Sequence, residues 1–263
     1  MPVKVPVVVK IGGSTLGSAD TSFADLVALQ QQGRTPVVVH GGGPVITQWM
    51  QKQGLTPTFV RGLRVTDAPS LDIVVAVLTG LINKQLVGTV TALGGKTVGI
   101  SGADGALLQC VIANPELGLV GEIVKVSPEP VLDILEKGFI PLIAPVGIRM
   151  PQKPGDPCGL LNINGDTAAG HLAGALGAQR LVFLTDVEGV MDSDRRVIPR
   201  LSVRMAKDLI ASGTAAGGMI PKLEACVTAL ERRVPAARIL DGRASGALAR
   251  AMGEGSEGTW VTA

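Results

Sequence analysis

Five runs along the chain are apolar without alternation: VPVVVKI (5–11), TPVVVH (35–40), TVGIS (97–101), IPLIAPV (140–146) and RLVFLTD (180–186). Continuous apolar character suits a strand in a sheet covered on both faces. Helical patterns separate the runs, over residues 18–33, 44–54, 68–95, 128–138, 165–178 and 217–233. The alternation of strand and helix predicts an α/β fold with a central, mainly parallel sheet. Pro44 suits the first turn of its helix, where its missing N–H costs nothing, and Gly54 suits the exit. The Pro- and Gly-rich stretch GIRMPQKPGDPCGL (147–160) reads as a lobe boundary or a β-hairpin excursion.

Composition narrows the function. The 263 residues are 46% hydrophobic and 17% charged, which argues against disorder and allows a substantial core. Aromatics are 2% with no tyrosine, so stacked-base recognition of nucleic acid lacks its platforms. A net charge of +2 implies no polyanionic partner and leaves room for a small anion. Cys110, Cys158 and Cys226 are odd in number and widely spaced, neither a disulfide framework nor a metal knuckle. They point to the reducing cytoplasm. The chain shows no signal-peptide pattern and no run of about 18 uninterrupted apolar residues, so no membrane association is expected.

Glycine loops carry the first candidate chemistry. KIGGS (10–14) ends the first strand, with Lys10 directed at the crevice where open α/β sheets bind ligands and Gly12 and Gly13 offering bare N–H groups. HGGGP (40–44) repeats the arrangement on the next strand. Both lead toward helix N-termini, which favour anions, so the pair with its lysine suggests a phosphate site. In LLNINGDTAAG (160–170), Asn162 and Asp166 flank a turn into a helix, and either Asp166 or Thr167 serves as a simple N-cap if nothing more. Asp186, in TDVEGVMD, meets a ribose or closes the turn. Lys222, in GGMIPK, sits in the opening turns of a helix, a poor electrostatic place for a cation without an anionic partner. Arg64 is a surface charge or a bidentate carboxylate clamp. His40 and His171 read as packing or hydrogen-bonding residues, and no Ser-His-Asp, HExxH or Cys-His pattern appears.

The segments VVVKIGGS, VVVHGGGP, RGLRVTD, LINKQLVG, VGISGADG, GLVGEI, IPLIAPVG, LNINGDTAAG, LTDVEGVMD, GGMIPKLEA and ILDGRASGAL span nearly the whole chain. In that order they resemble the amino-acid kinase family and, within it, the N-acetylglutamate kinases. The resemblance implies one domain over 1–263, a three-layer αβα sandwich with an acetylglutamate-binding, dimerising N-lobe (about 1–155) and an ATP-binding C-lobe (about 156–263). It assigns Lys10 and Lys222 to stabilising the transferring phosphoryl group, and Asp166 to holding both lysines. Gly42, Gly43, Arg64 and Asn162 would bind N-acetyl-L-glutamate. ATP would lie along Asp186, Val187, Glu188, Gly189, Val190 and Met191, and along Thr214, Ala215 and Ala216.

The implied reaction transfers phosphate to the γ-carboxylate, giving N-acetyl-L-glutamyl 5-phosphate in arginine biosynthesis. A carboxylate is already ionised near neutral pH, so no general base is required. Mg²⁺ would ride on the nucleotide with no metal cluster from the protein. The alternative is the carrier-protein-linked aminoadipate or glutamate kinase of lysine biosynthesis; the intact GLRVT segment favours the free acetylated amino acid. The family usually has NINAD where this chain has Gly165, a change expected to leave the chemistry intact. Six residues precede VVVK, and Gly246 stands where arginine-sensitive members often have histidine. A homodimer insensitive to arginine is therefore expected.

Overall fold

The computed structural model describes residues 5–12, 22–60, 62–151, 159–253, 255 and 257–263. Gly13, Cys158 and the first residues of the helix expected at 18–33 lie outside them. In chain order the strands are β1 (Val7–Ile11), β2 (Val37–His40), β3 (Phe59–Val60), β4 (Leu63–Arg64), β5 (Thr97–Ser101), β6 (Leu108–Ile112) and β7 (Gly121–Val126). They continue as β8 (Ile140–Ala144), β9 (Val146–Arg149), β10 (Gly159–Asn162), β11 (Arg180–Thr185), β12 (Arg200–Ser202), β13 (Ala236–Asp241) and β14 (Thr259–Thr262). The α-helices are α1 (Ser22–Gln31), α2 (Gly43–Lys52), α3 (Ala68–Val75), α4 (Asn83–Ala92) and α5 (Glu129–Glu136). After them come α6 (Gly165–Ala175), α7 (Val203–Ala211), α8 (Met219–Glu231) and α9 (Ala247–Met252).

Eight strands form the main sheet in the order β12-β14-β13-β11-β1-β2-β8-β5. From β5 to β13 neighbouring strands are parallel; β14 runs antiparallel to β13, and β12 is parallel to β14. The five apolar runs supply β5, β8, β2, β1 and β11, the contiguous middle and one edge of this sheet. Strand alternation sorts the side chains onto two faces. Val7, Val9 and Ile11 pack with residues of α1, α2, α3, α4 and α9 on one side. Val8, Val37, Val39 and Phe183 pack with α5, α6, α7 and α8 on the other. This is a three-layer αβα sandwich. Lys10 shares the face of Val8 and so points toward α6.

Sequence periodicity missed a second, four-stranded sheet, β10-β9-β6-β7. Of the two readings of 147–160, the strand pairing matches the β-hairpin: β9 and β10, at the two ends of that stretch, pair antiparallel within this sheet. Its inner face, including Leu108, Cys110, Ile123 and Leu161, joins the core under α6. The expected helix 68–95 forms, but as α3 and α4 joined through a π-helical turn, Ala76–Ile82. The combined Ala68–Ala92 helix is long and apolar enough to cross a membrane by length and composition. Here Val74, Val77, Leu78, Ile82, Leu86 and Val90 are buried against the sheet, which makes it a core helix. Pro44 lies in the first turn of α2, and Gly54 adopts φ +75° beyond its end, as anticipated.

Two glycines on α6 show how tightly its surroundings are set. A Cβ at Gly170 would lie 2.6 Å from the Ala225 carbonyl oxygen and 2.9 Å from its Cα, so only glycine lets α6 and α8 approach this closely. At Gly165 the nearest atoms to an added Cβ are Lys10 Cε at 3.5 Å and His40 O at 3.7 Å, ordinary packing contacts. Gly170→Ala should therefore cost about 1–3 kcal/mol by overpacking backbone against backbone. Gly165→Ala should stabilise by about 0.5–1 kcal/mol through reduced chain entropy in the unfolded state. Urea unfolding of the two variants checks the opposite signs.

Candidate active site

The carboxyl ends of β1, β2 and β11 meet where the strand order departs in both directions from β1, the place where open α/β sheets bind ligands. A cleft of about 440 Å³ opens there. It is lined by Lys10 in β1 and Gly12 after it, Gly41–Gly43 after β2, Arg64, Asn162, Asp166, Asp186 and Lys222. Residues scattered from 10 to 222 thus converge on one cavity, of a size usual for small ligands.

At its centre one carboxylate serves two ammonium groups. Lys222 Nζ donates to Asp166 Oδ2 at 3.1 Å and to the Gly218 carbonyl at 3.1 Å. Lys10 Nζ forms an ion pair with Oδ1 at 2.7 Å. Burial opposes the charge on Asp166, but the two lysines outweigh it and hold its carboxyl below the usual aspartate range. The N-cap reading of Asp166 or Thr167 is corrected here. Asn164 caps α6, its Oδ1 accepting from the Asp166 and Thr167 N–H groups at 2.9 and 3.1 Å. With the cap supplied two residues earlier, the Asp166 side chain is left for the lysines. An Asn immediately before a Gly-Asp-Thr helix start is itself a capping signal. Lys222, awkward in sequence at the start of α8, finds its anion in Asp166.

Arg64 occupies the other end of the cleft and is no surface charge. It is buried, donating from Nη2 to Gly43 O (3.1 Å) and Thr47 Oγ1 (2.9 Å) and from Nη1 to Met50 Sδ (3.0 Å). The Phe59 ring lies 4.7 Å from its guanidinium carbon. Burial draws its pKa down from the ordinary arginine value. Asn162 ends β10 and donates to Thr66 Oγ1 at 3.0 Å, which in turn donates to Arg64 O at 3.0 Å. Arg64 and Asn162 are therefore held in one polar network. Nothing in the local sequence marks Thr47, Met50, Phe59 and Thr66 as its supports. They come from three elements that only the fold brings together.

Gly42 and Gly43 begin α2 and border the cleft. A side chain at Gly42 would run into Leu78 and Ile82 of the π-helical turn, whereas Gly43 faces open space. His40 is buried and His171 partly so, and burial lowers both imidazoles to about 4, in keeping with packing roles. Of the residues expected along a nucleotide, Asp186 lines the cleft; Val187–Met191 and Thr214–Ala216 do not. Those segments follow β11 and precede α8, bordering the Asp186–Lys222 end. Val190 is fixed there, its N–H donating to Thr259 Oγ1 at 2.8 Å and its carbonyl accepting from Ile198 at 2.8 Å. Among the described residues no group of three or more His, Cys, Asp or Glu side chains is placed to hold a metal ion.

Comparison with known proteins agrees with this geometry. The chain is 47% identical to the acetylglutamate kinase of Dinoroseobacter shibae over 244 residues, 92% of this chain and 83% of that one. It is 44% identical to the acetylglutamate kinase of Dehalococcoides mccartyi over 255 residues, 97% of this chain and 93% of the relative. Among solved structures, N-acetylglutamate synthase from Neisseria gonorrhoeae, complexed with coenzyme A and N-acetyl-glutamate, superposes with a TM-score of 0.82 at 27% identity. That match covers 98% of this chain and 59% of the synthase. The family model described as the amino acid kinase family matches residues 6–241, and the chain belongs to that family.

Proposed function

We propose that this protein phosphorylates the γ-carboxylate of N-acetyl-L-glutamate with ATP, forming N-acetyl-L-glutamyl 5-phosphate for arginine biosynthesis. The observation that carries the reading is the Lys10–Asp166–Lys222 triad, set between a glycine loop with Arg64 and Asn162 on one side and Asp186 on the other. A γ-carboxylate oxygen attacks the terminal phosphorus of ATP, and the bond to the bridging oxygen breaks with its electron pair leaving on ADP. The attacking carboxylate is already charged, so the site needs no proton acceptor. It needs compensation of negative charge and in-line placement. Lys10 and Lys222 supply the first, with N–H groups of Gly42 and Gly43; the Gly12 N–H, bare by the sequence reading, is taken by the Leu184 carbonyl at 3.1 Å. Arg64 and Asn162 supply the second by holding the substrate's α-carboxylate and its neighbouring groups, since arginine suits a planar carboxylate. Gly13 belongs to the same phosphate loop in this proposal.

ATP would extend from the triad along Asp186–Met191 and Thr214–Ala216. Asp166 is committed to the lysines, and among the described residues Asp186 is the other carboxylate lining the cleft. That donor set fits a Mg²⁺ carried mainly by nucleotide phosphates and water, contributing charge neutralisation when bound. The acceptor side falls in an N-lobe of about residues 1–155 and ATP in a C-lobe of about 156–263. Cys110 and Cys226 are buried free thiols, which supports a reducing cytoplasmic setting. The free edge at β5, flanked by α4 and α5 with Leu93 and Leu132 exposed, supports a homodimer.

Trapping the acyl phosphate with hydroxylamine tests the reaction. Hydroxamate should appear with acetylglutamate and ATP, and turnover confined to carrier-linked aminoadipate or free glutamate would sink the proposal. Lys10→Ala and Lys222→Ala should each lower kcat by about 10²–10³-fold, the scale of losing one donor to transition-state charge.

Asp166 predicts a pH window. Its folded pKa is depressed, so its stabilisation is complete above the unfolded value of about 3.9 and is lost as pH falls through the lower folded value. Asp166→Asn should cost about 3–5 kcal/mol by leaving buried lysines unpaired. In thermal melts that gap should stay constant from pH 7 to about 4 and narrow only below. Light scattering should give the mass of two chains; a monomer would remove the dimer from the proposal.

A further inference from the structure

Among the buried titratable groups that the mechanism leaves unused, the histidine that opens the glycine triplet adjoins the cleft through Gly41. His40 ends β2 and is fully buried. Asn83, the first residue of α4, places its amide nitrogen 3.1 Å from His40 Nε2, 3.0 Å from Leu142 O and 3.3 Å from Ile100 O. The two carbonyls identify that end of the amide as the NH₂ group, because only a donor can face them. His40 Nε2 must then accept, and the single proton of the neutral ring sits on Nδ1. From there it donates to the Gly41 carbonyl at 3.0 Å. Desolvation, with the Lys10 and Lys84 charges nearby, outweighs the Gly41 bond and keeps the ring neutral down to about pH 4.

The peptide between Gly41 and Gly42 is trans, so its N–H points opposite to its carbonyl. The carbonyl is held against a ring buried in the sheet, which directs the Gly42 N–H the other way, to the cleft that Gly41–Gly43 line. Among the described residues the Gly42 N–H donates to no acceptor within the chain. We infer that His40 is a positioning residue. Through the Gly41 carbonyl it turns the Gly42 N–H toward the acceptor carboxylate and the phosphoryl oxygen arriving there, while Asn83 fixes the tautomer that makes this work. The inference rests on reading the cleft as the acyl-phosphate-forming site.

Steady-state kinetics of His40→Leu, His40→Gln and His40→Asn with acetylglutamate and MgATP test it. Leucine cannot donate, and glutamine reaches only the Nε2 position. Asparagine places an N–H where Nδ1 stands. Asn83 keeps two carbonyl partners in every variant, so none is left with an orphaned amide. His40→Leu and His40→Gln should lose about 10²-fold in kcat, with KM for ATP within about twofold, and His40→Asn should recover most of the loss. Melting temperatures measured alongside should not follow that order, since asparagine leaves the largest void. A His40→Leu enzyme within about threefold of wild type, or kcat tracking melting temperature across the three, would overturn the inference. A wild-type protein inactive on acetylglutamate would instead refute the functional reading, a result the variants cannot mimic.

Discussion

A single carboxylate between two ammonium groups governs this cleft. Without Asp166, Lys10 and Lys222 would repel one another in a partly desolvated space, at a cost of about 4 kcal/mol for unit charges 4 Å apart in a protein-like medium. With it, the three groups carry one net positive charge, fixed in place before any phosphate arrives. Charge that is already oriented needs no reorganisation as the reaction proceeds, which is the main source of electrostatic catalysis.

The partners in the triad come from three elements, one strand of the central sheet and two helices of the layer that covers one of its faces. Lys10 projects from the central strand on the face set by strand alternation. Asp166 begins α6, released for pairing because Asn164 takes over the cap. Lys222 begins α8, and the bare backbone at Gly170 lets that helix lie close enough for the ion pair to form. Helix packing and ion pairing are thus one constraint: the approach that buries Ala225 against Gly170 also delivers Lys222 to Asp166.

The parallel part of the main sheet from β5 to β11 and most of its covering helices were legible because continuous apolar strands and amphipathic helices leave strong periodic signals; β12, β13, β14, α7 and α9 were not. Lys10 and Lys222 were legible as cations in odd places, one at the end of a buried strand and one at a helix start, whereas Asp166 read locally as a cap and only the family resemblance set it between the lysines. The second sheet was not, since its strands are short and partly exposed, as Glu122, Val124 and Lys125 in β7 illustrate. The supports of Arg64 were hidden for another reason. Thr47 and Met50 are unremarkable helix residues until the β3–β4 hairpin folds back and places a guanidinium over them. Local sequence records periodicity and capping, whereas a polar network drawn from three separate elements exists only after folding.

The π-helical turn at Ala76–Ile82 has a consequence for how this fold tolerates change. A π turn holds an extra residue against the ordinary helical count, so everything after it is rotated relative to everything before it. Ahead of the turn, α3 is capped by Asp67 through Ser70, close to the Thr66 network; inside it, Leu78 and Ile82 close over Gly42; beyond it, Asn83 reaches His40. A regular helix could not aim all of these correctly at once, because removing one residue would swing Asn83 by about 100°. The turn acts as a phase adjuster, so a single-residue deletion within this apolar helix would silence a loop it never touches in sequence.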